Sequence, residues 1–171
     1  MDEYVTPLKA GLKWAIYLSL LSIALQLVFH YTGFANMADI EGPNGTTTTI
    51  ISLFIAIAAT ALAQLYFRKN NEDLMTFGEG VSVAFFLGIF SGILMALFMY
   101  LFMSFIEPGM ADAIKEVALQ DDNMSDEERE LSGSIITAMT SPIALSFMTF
   151  FGSMIQHLII GLITSLFIKK D

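Results

Sequence analysis

VSVAFFLGIFSGILMALFMYLFMSFI, residues 81–106, carries no formal charge between Glu79 and Glu107. At about 1.5 Å of rise per residue, a helix of this length crosses a hydrocarbon core of roughly 30 Å with residues to spare. The stretch therefore predicts a transmembrane helix, beginning near residue 78 and ending at 106. Further charge-free runs over about 14–31, 50–67 and 143–168 make the same demand. The expected fold class is thus an all-α membrane protein of four transmembrane helices, one membrane domain over 1–171.

The composition agrees. It is 55% hydrophobic, and those residues lie in long runs instead of recurring at a core-forming period. A soluble bundle would need a polar face on each helix, which these runs lack. The absence of cysteine excludes disulfides and thiolate chemistry, whether nucleophilic or metal-binding. Most of the net charge of −9 sits between Glu107 and Glu130, where nine acids face only Lys115 and Arg129. No basic surface exists to displace counterions from phosphates, so no nucleic acid partner is expected.

Outward from the central stretch, Thr76 and Glu79 stand as T-x-x-E, the spacing at which each side chain satisfies an orphan amide at a helix start. Within the span, Gly88 and Gly92 form G-x-x-x-G with Ser91 beside them, a face that another helix can approach closely. The preceding span offers Ala56, Ala59, Thr60 and Ala63 at spacings of three and four. Lipid gives helices little hydrophobic reason to associate, so small side chains that permit close contact matter more. Span two is accordingly expected at the centre of the bundle.

The first span follows MDEYVTPLKAGLK, where the chain turns from acidic to basic. It is longer than a signal-peptide core, and no A-x-A-like site follows His30, so a retained helix is expected. Gly42, Pro43, Asn44 and Gly45 mark a loop before the second span. After Ile106, Pro108 and Gly109 break the third span. AIKEVAL and SDEERELSGSIITAM then read as two amphipathic helices, the second opened by a Ser125 and Glu128 capping box. This acidic segment, 107–141, is predicted to form an external helical hairpin between helices 3 and 4. Ser141 and Pro142 suit the N-cap and first position of the fourth span.

With four spans, both ends of the chain share a side. That side collects Lys9, Lys13, Arg68, Lys69, Lys169 and Lys170. The positive-inside rule makes it cytoplasmic. Trp14, Tyr17 and Tyr66 toward that face, and Tyr31 and Tyr100 toward the other, are placed as interfacial anchors.

Four stretches, YFRKNNEDLMTFGEG (66–80), ALFMYLFMSFIEPGM (96–110), NMSDEER (123–129) and IGLITSLFIKK (160–170), together resemble a family of small four-helix inner-membrane proteins of unknown function from Bacteroidetes-type bacteria. The likeness covers most of the chain and keeps the order of parts. Glu107 departs from it, since asparagine is expected before the Pro-Gly. The resemblance implies topology and a bacterial inner membrane, and it carries no activity.

The candidate polar residues are Gln64, Glu79, Gln156 and His157. An ionisable residue in mid-span, such as His157, is a functional candidate by default. The plainer reading has it bonded to a serine, a threonine or Gln64 of a neighbouring helix. Glu79 is explained by its capping box, with cation binding or pairing to Arg68 or Lys69 as the alternatives, and Gln64 is expected in the same layer, where the two could form a polar cluster at the inner leaflet. Gln26 and His30 lie i to i+4 on one face of span one, with His30 interfacial. The run DDNMSDEERE lacks the EF-hand arrangement and reads as a solvated, helix-initiating charge run. No nucleophile with a paired base, metal motif, P-loop or dinucleotide fingerprint is present, so neither enzyme activity nor a cofactor is expected. Two functions remain: an accessory or scaffold protein that packs with a larger membrane complex or with itself, or a small transporter or channel with a polar path around His157 and Gln64.

Overall fold

The computed structural model describes residues 4–34, 44–119 and 126–170. Four long helices carry the fold: α1 (Pro7–Thr32), α2 (Gly45–Lys69), α3 (Phe77–Leu101) and α6 (Pro142–Ile168). Two shorter helices, α4 (Met110–Ala118) and α5 (Asp126–Met139), lie between α3 and α6 in sequence and pack against each other. The four long helices, with α3 extended by a π-helical turn through Ile106, are all long and apolar enough to cross a membrane. Each apolar run read from the sequence lies within one of these helices, and the first two helices start earlier in sequence than the runs do.

The extensions have local causes. Thr6 caps α1 by accepting from the Lys9 amide at 3.2 Å, and Pro7 supplies a ready-made first-turn φ. α3 begins at the predicted capping box: the Thr76 amide donates to Glu79 Oε2 at 2.8 Å, and the Glu79 amide returns a bond to Thr76 Oγ1 at 3.3 Å. Ser141 caps α6 by accepting from the Ala144 amide at 3.3 Å, ahead of Pro142. The second predicted capping box falls on Ser125, which lies outside the described residues. At its far end α3 loosens into the π turn, Phe102–Ile106, closed by Glu107 N–H donating to the Phe102 carbonyl at 2.8 Å. Pro108 and Gly109 follow, and the rod ends there.

The centre of the bundle is α3, not α2. It packs along α6 and α1 and also touches α2, whereas α2 makes smaller contacts with all three. The small residues of α2 and α3 are nevertheless buried: Ala56, Ala59, Thr60 and Ala63 on one helix, Gly88, Ser91 and Gly92 on the other. What decides the arrangement is a third set, on α6 and α1. A Cβ placed on Gly161 would stand 2.2 Å from that of Ala84, and one on Gly11 would stand 2.7 Å from Phe86 Cβ. Gly88 and Gly92 likewise lie against the Met154 and Phe150 backbones of α6. Their motif therefore serves packing within the chain. Outward, the helices show lipid-type side chains such as Phe54, Phe105, Ile163 and Phe167, the last 82% exposed.

Candidate functional site

The end of the bundle that bears most of the basic residues is tied by three segments remote in sequence. Met75 and Lys170 exchange backbone hydrogen bonds, 2.9 Å in each direction. Arg68 donates to Asp73 Oδ1 at 3.0 Å and to the Ile168 carbonyl at 2.9 Å, and Lys170 pairs with Asp73 from the other side. Asn71 donates to the Val5 carbonyl at 2.9 Å, and the Tyr4 hydroxyl donates to Glu72. Glu72 and Asp73 both take left-handed backbone, with φ of 55° and 60°. Aspartate tolerates that region better than most residues do, and the turn aims its carboxylate back at both cations. Arg68 thus serves Asp73, and the expected alternative of a pair with Glu79 is not formed. Glu79 is exposed and spent on its own helix start.

One layer inward, Gln64 is fully buried and its amide donates to Ser165 Oγ at 2.9 Å, to the Gly80 carbonyl at 3.1 Å and to the Gly161 carbonyl at 3.4 Å. Its Oε1 is buried without a partner among the described residues. The expected cluster of Gln64 with Glu79 does not exist, because Gln64 turns into the α3 and α6 contact while Glu79 turns out to its cap.

Near mid-bundle, His157 is 3% exposed and its Nδ1 lies 2.9 Å from Thr60 Oγ1. The Thr60 hydroxyl also lies 2.8 Å from the Ala56 carbonyl. A carbonyl can only accept, and a hydroxyl has one hydrogen. That hydrogen goes to Ala56, so Nδ1–H of His157 donates to Thr60. In the uncharged imidazole, Nε2 then keeps its lone pair.

His157 and Gln156 line a cavity of about 610 Å³ that occupies the half of the bundle remote from the basic end. All four long helices contribute to it, and Met110 of α4 closes part of the far side. Ser22 and Gln26 of α1, Ser52 of α2 and Ser153 of α6 face it among leucine, isoleucine and methionine side chains. Ser153 also shares a 3.0 Å contact with Ser91. Among the described residues no charged side chain lines the cavity. Gln26 thus joins Gln156 and His157 across the bundle. His30, expected at the interface, packs edge-on against Phe102 with centroids 5.1 Å apart and lies 3.5 Å from Glu107. Among the described residues no group of three metal-ligating side chains converges.

Sequence reasoning missed Gly161, Ser165 and Asp73. Gly161 and Ser165 are spaced i to i+4, the same small-residue signal used for α2 and α3. Asp73 was missed because its partner Lys170 is 97 residues away, and Arg68, five residues away, is met only through the left-handed turn at Glu72 and Asp73.

Four apolar helices bundled around a partly polar interior define the class as a multi-pass, membrane-type helical protein. The chain belongs to the DUF4199 family, described as protein of unknown function, and the match runs over residues 13–170. No curated protein and no solved structure matches the chain.

Proposed function

We propose that the chain is a non-catalytic accessory protein of a bacterial inner membrane, packing through its lipid-facing side with a larger membrane complex or with a second copy of itself. The observation that carries this reading is an outward groove of about 410 Å³ between α3 and α6, lined by Ile93, Ala96, Leu97, Ile143, Ser146 and Phe147. Ala96 and Ser146 are small, and the ridges beside them are bulky. A second apolar helix laid in such a seam gains the close packing that association in lipid depends on. The basic residues supply the orientation: the tied end, with Arg68, Lys69, Lys169 and Lys170, faces the cytosol, so both ends of the chain are cytoplasmic. The α4 and α5 pair then forms an external, acidic hairpin.

The absence of cysteine makes the test clean. In native membranes, Leu97→Cys gives an oxidant-dependent adduct of higher mass, while Leu20→Cys, on an exposed part of α1, gives none. Adducts from neither position, or equally from both, overturn the docking seam. In spheroplasts, Lys115→Cys reacts with an impermeant maleimide and Lys69→Cys does not; the reverse pattern overturns the orientation.

A transport function has the cavity beside His157 in its favour. Gln64, Ser165 and the Ala84 contact with Gly161 close the bundle below it, so passage would require those layers to part. Equal flux through liposomes carrying wild type or His157→Ala removes that reading.

A further inference from the structure

We propose that the cavity beside His157 is a binding site for an uncharged amphiphile whose head bears hydroxyl groups and whose tail is apolar. The site is distinct from the docking seam on α3 and α6 and does not depend on it. Its volume, about 610 Å³, lies within the roughly 300–1,000 Å³ usual for small-molecule pockets. Its lining combines apolar walls with a few convergent polar groups, the pattern that holds an amphiphile in one orientation.

Three features narrow the ligand. First, among the described residues no lysine, arginine, aspartate or glutamate lines the cavity, so a charged head seated against them would lose water with no counter-charge from those walls. The described walls thus favour an uncharged head over a phosphate, carboxylate or ammonium. Second, His157 is held at Nδ1 by Thr60, which fixes the ring and directs the Nε2 lone pair elsewhere. Nε2 has no protein partner among the described residues, and the residue is almost wholly buried while lining the cavity. An acceptor so placed calls for a donor from the ligand, which an alcohol supplies and a bare carbonyl does not. Third, Ser52, Gln26 and Gln156 are spread along the same cavity and can each give or take a hydrogen bond. They suit a head with a second oxygen.

Two membrane lipids present this chemistry: a diacylglycerol, with one hydroxyl and two ester carbonyls, and a quinol, with two ring hydroxyls. The experiment separates them. Full-length protein in lipid nanodiscs is titrated with 1,2-dioctanoylglycerol, with a short-tailed quinol, with the matching oxidised quinone and with octanoate. Binding is read by equilibrium partitioning of labelled ligand, and the thermal midpoint is followed in parallel.

Saturable binding of either hydroxylated lipid, at least about tenfold tighter than the oxidised quinone and with no competition from octanoate, is the expected result. Whichever of the two binds identifies the source. His157→Leu weakens that binding about tenfold, while Ser52→Phe, which fills the cavity without touching the Thr60 bond, abolishes it. The thermal midpoint without ligand shows whether each variant is folded. The proposal is overturned if neither hydroxylated lipid binds saturably, if the oxidised quinone or octanoate binds equally well, or if folded Ser52→Phe binds as wild type does.

Discussion

Thr60 and His157, 97 residues apart in sequence, meet at 2.9 Å inside the bundle, and the imidazole is the donor. Both side chains are buried, so the bond replaces contacts that neither could make with lipid. Interhelical hydrogen bonds of this kind average about 0.6 kcal/mol and reach about 1.7 kcal/mol. A double-mutant cycle of Thr60→Val and His157→Leu, read by unfolding in mixed micelles, is expected to give coupling in the upper part of that range, because Thr60 is already oriented by Ala56. Additive effects would mean the two side chains do not cooperate.

Gly161 governs how closely α6 lies on α3. Any side chain there meets Ala84, whose Cβ would stand 2.2 Å from the added carbon. Gly161→Ala should therefore destabilise the bundle by about 1–3 kcal/mol, the usual cost of overpacking. Ala84→Gly in the same chain should restore most of the loss. The unfolding midpoint of the single and double variants decides it, and a neutral Gly161→Ala would show that the helices can separate freely.

The basic end should be acid-sensitive through Asp73. The hydrogen bond from Lys170 is the largest influence and holds its carboxyl below its ordinary value of 3.8; desolvation opposes it, and the Arg68 charge, a smaller effect than either, lowers it further. A folded-state value below the unfolded one means the tie contributes fully above the unfolded value. It is lost as pH falls through the folded one, below 3.8. Backbone amide shifts of Met75 and Lys170 in micelles should thus move toward those of a free C-terminal segment under strong acid. Asp73→Asn should show the released shifts at neutral pH and little further change on acidification. Retention of the native shifts in that variant would assign the tie to the backbone bonds alone.

What the sequence made legible was whatever one helix could state by itself. Charge-free length announced the four rods, and Thr76, Glu79, Ser141 and Pro142 announced two of their beginnings, because caps involve residues three apart. Relations between helices were less visible. The small residues of α2 foretold close contact without naming the neighbour, and α3 took the centre because Gly11 and Gly161, on two other helices, both face it. Gln64 was placed by depth in the layer of Glu79, but sequence gives depth without the rotation that turns its side chain toward Ser165. The cavity left no sequence pattern, since its hydroxyls and amides are single residues scattered over four helices.

That rotation makes Gln64 the inner seal, and a test of it follows from counting donors. The amide reaches two carbonyl oxygens and one hydroxyl, at 3.1 Å, 3.4 Å and 2.9 Å, on α3 and α6. Gln64→Leu removes the donor but keeps much of the volume, so the expected loss is about 1–3 kcal/mol, the cost of buried acceptors left without hydrogen. Gln64→Glu is nearly the same shape and should do worse. An ionised carboxylate there faces the Gly80 and Gly161 carbonyl oxygens with nothing to donate, in a layer where among the described residues Gln64 meets only neutral partners. Expression of folded protein, followed by micelle unfolding, should rank wild type above Gln64→Leu and Gln64→Leu above Gln64→Glu. If the glutamate variant matches wild type at neutral pH, water reaches this layer, and the closure between the cavity and the basic end is not what holds there.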